Sequence, residues 1–232
     1  MEIPFSELAT LEAVDYCIIG AGPAGITCAR VLASRNRKVL LLEGGDHEWS
    51  EESQSLYGGE TIGDTYYDLQ DARLRYFGGT SNHWAGWCRP LDAHDFEGKG
   101  QAGIGRWPIR RMDLDKYFPP AAEILEIERP APDIPLPGGM LHRISASFSP
   151  PVRFGEKYEN EIVGSDSIIL CVNCNVTRMT GAAGAVSSIT VQDYGGARIE
   201  VKARNFIRSC GGIENSRLLL WRNVASDGAV LK

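Results

Sequence analysis

Gly20, Gly22 and Gly25 spell GxGxxG inside "DYCIIGAGPAGITCARVLASRNRKVLLLEGG", residues 15 to 45. Glycines at this spacing between a strand and a helix can hold a dinucleotide. The first permits a tight turn, the second lets a pyrophosphate approach the main chain, and the third lets helix and strand pack closely. Pro23 and Ala24 lie inside the motif, with Pro23 at a first-turn position where its missing N–H costs nothing. The free N–H groups and dipole at the helix start would face phosphate charge. Glu43 follows Gly25 by 18 residues, at the end of a second apolar run, where a carboxylate can accept both ribose hydroxyls. Neither feature separates a nicotinamide dinucleotide from a flavin one.

Two later stretches carry further chemistry. "RYFGGTSNHWAG", residues 75 to 86, gathers two glycines, small polar residues, an imidazole and an indole. "RSCGGIENSRLLL", residues 208 to 220, is a second strand–glycine–helix turn. Of six cysteines, Cys171 and Cys174 form a CxxC. A four-ligand metal site needs a second pair at ligand spacing, which the chain lacks. Cys171 also closes the apolar run DSIILC, so both sulfurs read as packed thiols and no metal is expected. His47, His94 and His142 stand in polar, irregular surroundings and read as surface residues, and Trp84, Trp87 and Trp107 as packing or stacking aromatics.

The elements that must position these groups follow from periodicity. Residues 15 to 20 and the run KVLLLE are strands buried on both faces, and Pro23 to Ser34 suits a helix. Together they make a βαβ unit with parallel strands. Residues 46 to 105 show no long amphipathic period, which in a compact domain suggests a stretch that covers a ligand. Residues 113 to 128 regain helical character, and RPAPDIPLPGG reads as an extended connector toward a second region. DSIILC, CNVTRM, VSSITVQD and ARIEVKA predict three to four strands of a small sheet.

Composition narrows the partners. Hydrophobic residues at 43% and charged residues at 23% suit a folded globular chain. A formal charge of −6 with scattered Lys and Arg leaves no basic stripe for nucleic acid. No apolar run spans a bilayer, and MEIPFSELATLEA lacks the pattern of a secretory signal, so a cytoplasmic location is expected.

The ordered set of motifs resembles the glucose/methanol/choline oxidoreductases, flavoproteins that oxidise alcohols and sugars, from about residue 14 to 222. The resemblance rests on the glycine turn and Glu43, on Gly78 to Trp84, and on a succession Arg89, Pro90, Asp95, Phe96, Trp107, Pro108, Leu114, Tyr117, Ala122 and Glu123. It continues through CNVTRM and RSCGGIENSRLLL. It implies FAD, with the diphosphate on the turn from Gly20 to Gly25, the adenosine ribose on Glu43 beside Gly44, and adenine paired to the main chain at Val176. Gly78, Gly79, Thr80, Asn82, His83 and Trp84 would pass beside the flavin, Arg75 just before them would also bind the cofactor, and Ser209 and Gly211 would return the chain to it. Pyranose-oxidase-like members carry Thr-His-Trp where this chain has Asn82, His83 and Trp84, and their histidine bonds covalently to the flavin. Other relatives keep the histidine without the bond, so His83 has three readings: covalent, in contact, or packed.

The implied fold is α/β: a Rossmann-like, three-layer FAD-binding domain with a parallel sheet and a small antiparallel sheet, plus a truncated substrate domain. Residues 12–129 and 166–232 would form the FAD-binding domain, and 130–165 the start of the substrate domain. The implied activity is hydride transfer from a CH–OH group of a small alcohol or sugar to FAD, with the electron acceptor unspecified. In the family the base is a histidine in a C-terminal half. None of the four histidines here matches it, so no catalytic residue is named, and a C-terminal half or partner subunit is expected. Two alternatives stay open: a non-catalytic FAD-binding fragment or subunit, and an NAD(P)H-linked flavoprotein. Against the latter stands the lack of a second GxGxxG followed by a ribose reader.

Overall fold

The computed structural model describes residues 1–97, 107–182 and 185–225. The chain divides into two compact units, one of residues 1–83 with 153–232 and the other of residues 84–152. Along the chain, the first unit opens with β1 (Val14–Ile19), α1 (Pro23–Ala33), β2 (Val39–Leu42) and the short α2 (Glu51–Ser55). The second unit holds β3 (Trp87–Cys88), α3 (Ala93–Phe96), α4 (Phe118–Leu125), β4 (Ile134–Pro135), β5 (His142–Arg143) and β6 (Ser147–Phe148). The chain then returns to the first unit with α5 (Phe154–Val163), β7 (Ile168–Cys171), β8 (Asn175–Ala182), β9 (Ala185–Gln192), β10 (Arg198–Arg208) and α6 (Gly212–Ala225).

One six-stranded sheet, ordered β7-β2-β1-β10-β9-β8, carries the first unit. Its β7, β2, β1 and β10 pair in parallel, whereas β10, β9 and β8 pair antiparallel. Of the parallel strands, β2 and β7 are continuous apolar runs, as expected of strands buried on both faces, whereas β10 carries charged residues along its length. All four residues of β2 are buried. DSIILC, grouped by its sequence with the small sheet, is instead the outer parallel strand, in register from Val39↔Ile168 to Leu42↔Cys171. ARIEVKA and the next predicted strand are one strand, β10. Residues 198 to 202 pair with β9 and residues 203 to 208 with β1.

Helix α1 buries Gly25, Ile26 and Ala29. Helix α5, which falls where the sequence suggested a substrate-domain excursion, buries Phe154, Tyr158 and Ile162. Their four-residue spacing aligns them on one face. Arg30 of α1 bonds Glu161 at 2.7 Å and lies 4.0 Å from the Tyr158 ring centroid, so the two helices are tied by charge as well as packing. This packing places residues 153 to 165 with the first unit, while the second unit begins at Trp84.

The second unit is built from short ribbons and turns. Arg89 holds it locally, reaching Asp92, Asp133 and the carbonyl of Ser145 at 2.7–3.2 Å. Trp84 Nε1 donates to the Val152 carbonyl at 2.9 Å. Trp87 and Trp107, read from the sequence as packing aromatics, are largely exposed. Trp87 lies against Phe148 and Trp107 stands edge-on to Phe96. Among the described residues no helix is long and apolar enough to cross a membrane.

Candidate functional site

Strands β1 and β10 are parallel neighbours in register from Val14↔Ala203 to Ile19↔Arg208. Their two glycine turns therefore emerge side by side. Gly20 has φ +97°, a conformation that side-chain-bearing residues resist. A Cβ there would lie 2.9 Å from the Ser209 carbonyl oxygen, and one on Gly25 would lie 1.9 Å from the Gly20 oxygen. Ser209 Oγ sits 2.9 Å from the Ile19 oxygen and 2.8 Å from the Gly20 oxygen, sharing its single proton between them. Thus Gly20 and Gly25 serve the packing of one turn against the other.

Gly22 is different. It is the N-cap of α1, it makes no side-chain cap, and a Cβ there would meet nothing within 4 Å. This open face borders a cleft of about 460 Å³, lined from the first turn by Gly20, Gly22, Pro23 and Ala24. Space for a ligand beside the uncapped start of an eleven-residue helix suits an anion by geometry and dipole.

Across the cleft, Glu43 follows β2 and is 7% exposed. Its Oε2 accepts from Ala21 N at 2.8 Å and its Oε1 from Gly45 N at 2.9 Å. A carboxylate offers about four lone-pair sites. Two bonds to the protein orient it and leave capacity for two hydroxyls. Gly44 lies under the Arg75 guanidinium, where a Cβ would clash at 2.3 Å. Arg75 is held by Ser53 Oγ, Tyr194 Oη and Asn175 Oδ1 at 2.6–3.0 Å.

Gly79 and Thr80 also line the cleft, and a Cβ on Gly79 would come within 3.1 Å of Gly22 Cα. The first glycine turn and the segment starting at Gly78 thus converge. Val176, Ser209 and Gly211 complete the predicted lining. Gly25, Gly78, Asn82, His83 and Trp84 stand outside the lining. Gly78 faces Gly155 of α5, where a Cβ would lie 2.5 Å from its nitrogen, and Asn82 Nδ2 donates to the Phe77 carbonyl at 2.8 Å. His83 is exposed.

Several lining residues escaped the sequence reading. Tyr57, from the stretch judged irregular, carries Arg73 over its ring at 3.9 Å. Burial, with Glu43 nearby, pushes its hydroxyl up to about 12. Buried Glu214 on α6 pairs with Arg73 at 3.0 Å and with Arg217 at 2.6 Å. Arg75, Arg208 and Arg217 give the lining a cationic component suited to a diphosphate. Cys174 and Cys210 also border it. Burial raises the Cys210 thiol to about 12, so it stays protonated at neutral pH. His47, read as a surface residue, is partly buried, with Nε2 3.0 Å from Glu2, Nδ1 2.8 Å from Glu159, and its ring against Phe77. Among the described residues, Asp92, His94 and Asp95 form the one grouping close enough to share an ion, and two of them are exposed.

Comparison with known proteins bears on the fold and the family. The model of the family described as FAD dependent oxidoreductase matches residues 15–212. No curated protein matches the sequence. Among solved structures, pyridoxine 4-oxidase from Mesorbium loti is similar with a TM-score of 0.53 at 18% identity, over 90% of this chain. The match covers 51% of that protein, so this chain spans about half its length. At that identity the likeness speaks for the fold. The family model, however, covers both glycine turns and the strands between them, and on that ground the chain belongs to the FAD-dependent oxidoreductases.

Proposed function

We propose that the cleft holds the adenosine diphosphate half of FAD, and that the chain serves a flavoprotein oxidising the CH–OH group of a small alcohol or sugar. The observation that carries this reading is the open face of Gly22 at the start of α1, directly across from an oriented, half-satisfied carboxylate at Glu43. In this reading the N–H groups of the first turn of α1 hold the diphosphate, with Arg208 and Arg217 as additional cations. Glu43 accepts from the ribose hydroxyls, and the main chain at Val176 pairs with adenine. Gly79 and Thr80 lead the chain onward toward the flavin ring. Bound FAD supplies a two-electron acceptor. The protein's part in the described residues is to bind and orient it.

The substrate class rests on the resemblance to the glucose/methanol/choline oxidoreductases and on the solved relative, by name an oxidase of pyridoxine. Among the described residues lining the cleft there is no histidine, and no catalytic base is assigned.

The test is direct. Protein loaded with FAD and desalted should keep the flavin absorbance bands, and these should bleach anaerobically on addition of a primary or secondary alcohol, a polyol or a sugar. Protein that stays yellow with all of them is a binding module, and bleaching only with NADH or NADPH would replace the alcohol reading. A fluorescent band that survives denaturation would show a covalent flavin.

A further inference from the structure

Tyr57 follows α2 and lines the cleft. Its hydroxyl has no hydrogen-bond partner among the described residues, and it is open to solvent. A tyrosine whose ring is packed normally finds a partner for its O–H. Burial keeps the proton on this oxygen at neutral pH, so the group is a donor without an acceptor.

The ring, by contrast, is firmly held. Arg73 lies over it at 3.9 Å, and its Nη1 donates to Glu214 at 3.0 Å, Nη2 to the Tyr57 carbonyl at 3.2 Å and Nε to the Leu69 carbonyl at 3.3 Å. Since buried Glu214 already balances its charge, Arg73 supports the ring and is not itself a free cation. Behind them Gln54, also buried, donates its amide to the Gln70 and Arg73 carbonyls and accepts from Arg75 N at 3.0 Å. Tyr57 N donates to the Gln54 carbonyl at 3.0 Å.

Sheet order decides what the hydroxyl can meet. Strand β1 lies between β2 and β10, so the glycine turn leaving β1 is flanked by Glu43 after β2 and by Glu214 on α6 after β10. Tyr57 is tied to both flanks. Arg73 joins it to Glu214, and Arg75, 5.7 Å from the ring centroid, lies over Gly44 beside Glu43. A side chain tied to both flanks stands over the ground between them, where Gly22 leaves room. Ribose hydroxyls are donors to Glu43, whereas a diphosphate offers oxygen acceptors only, which is what an unused O–H requires.

We propose that Tyr57 is a direct ligand of the dinucleotide, donating its hydroxyl to a diphosphate oxygen opposite the first turn of α1, and that Arg73, held by Glu214, fixes the ring for that bond. The proposal rests on the reading of the cleft as the FAD site. The diphosphate is then gripped from two sides, by main-chain N–H groups below and by a neutral O–H above.

The test uses the full chain with FAD, ADP and adenosine, the latter two by displacement of FAD read from flavin fluorescence. In Tyr57→Phe the urea midpoint should stay at the parent's, because the lost hydroxyl bonds nothing in the free protein. Affinity for FAD and ADP should fall about tenfold or more, as for a hydrogen bond to a charged group, and affinity for adenosine should not change. Arg73→Lys keeps a charge beside Glu214 but loses the planar face on the ring. It should weaken ADP by a smaller factor, and by none in the Tyr57→Phe background. Undiminished ADP affinity in Tyr57→Phe overturns the proposal, as does an equal loss for adenosine, which would put the hydroxyl at the ribose or base. The same Arg73→Lys loss in both backgrounds overturns the role given to Arg73. Parent protein that binds neither FAD nor ADP refutes the reading of the cleft, whereas parent and Tyr57→Phe proteins that bind FAD equally refute the Tyr57 assignment alone.

Discussion

The two strand-to-helix turns at the ends of β1 and β10 use the same residue type for opposite purposes. In the first, Gly20 and Gly25 are crowded, with main chain or Ser209 where a Cβ would go, while Gly22 between them faces open space. In the second, Gly211 is required by its left-handed backbone at φ +84°, a Cβ on Gly212 would meet nothing within 4 Å, and it is the serine that makes the contacts. Glycines required by the chain are thereby distinguishable from glycines that leave room for something else. A motif that reads as one signature is a packing device at its ends and a ligand surface at its centre.

Substitutions can break or sharpen this contrast. The largest effect is expected for Gly25→Ala, whose Cβ would overlap the Gly20 carbonyl. Overpacking against main chain should cost about 3 kcal/mol or more, and a denaturant midpoint close to the parent's would end the idea that this glycine is structural. Gly22→Ala should leave that midpoint within about 0.5 kcal/mol, yet weaken FAD binding tenfold or more, about 1.4 kcal/mol. Equal FAD affinity in the two proteins would remove the centre of the motif from the site. Ser209→Ala takes away the hydroxyl that bonds the first turn and should cost about 1 kcal/mol, measured by urea unfolding. Gly212→Ala, at the first position of α6 and free of neighbours, should leave thermal stability unchanged or raise it by up to about 1 kcal/mol.

The smallest effect concerns acid. Asp46 lies below the usual carboxylate range, first because Asn173 donates to it, with the His47 amide adding to the shift. A carboxyl lowered by folding stabilises above its unfolded pKa, and that contribution is lost as pH falls through the lower, folded value. Asp46→Asn should therefore flatten the acid limb of the stability profile below the ordinary Asp range, seen by unfolding at stepped pH. An unchanged limb would mean that the link between this loop and the Cys171–Cys174 turn adds nothing.

How much of this was legible beforehand depended on distance along the chain. Gly20, Gly22, Gly25 and Glu43 are read from local spacing, because a turn and the strand beside it lie within thirty residues. The pairing of β7 with β2 was missed because an apolar run such as DSIILC suits a parallel strand as well as an antiparallel one. Gly78 and Asn82 carried a ligand-like spacing, yet the structure uses them to seat α5 and to bond Phe77. Their partner at Gly155 is too remote for spacing to reveal. Helix α5 did leave a trace, the four-residue recurrence of Phe154, Tyr158 and Ile162, masked by a proline-rich approach. The meeting of Tyr57, Arg73 and Glu214 had no local signal, since it exists only once β10 has set α6 beside residues far earlier in the chain.

That strand has a further consequence. Because β10 changes partner midway, serving β9 with its first half and β1 with its second, the hairpin and the parallel core share an unbroken length of covalent backbone. Val176 on the hairpin and Ser209 at the strand's exit therefore owe the breadth of the opening between them to register along a single beam, β10, from which both the hairpin and the parallel core are hung.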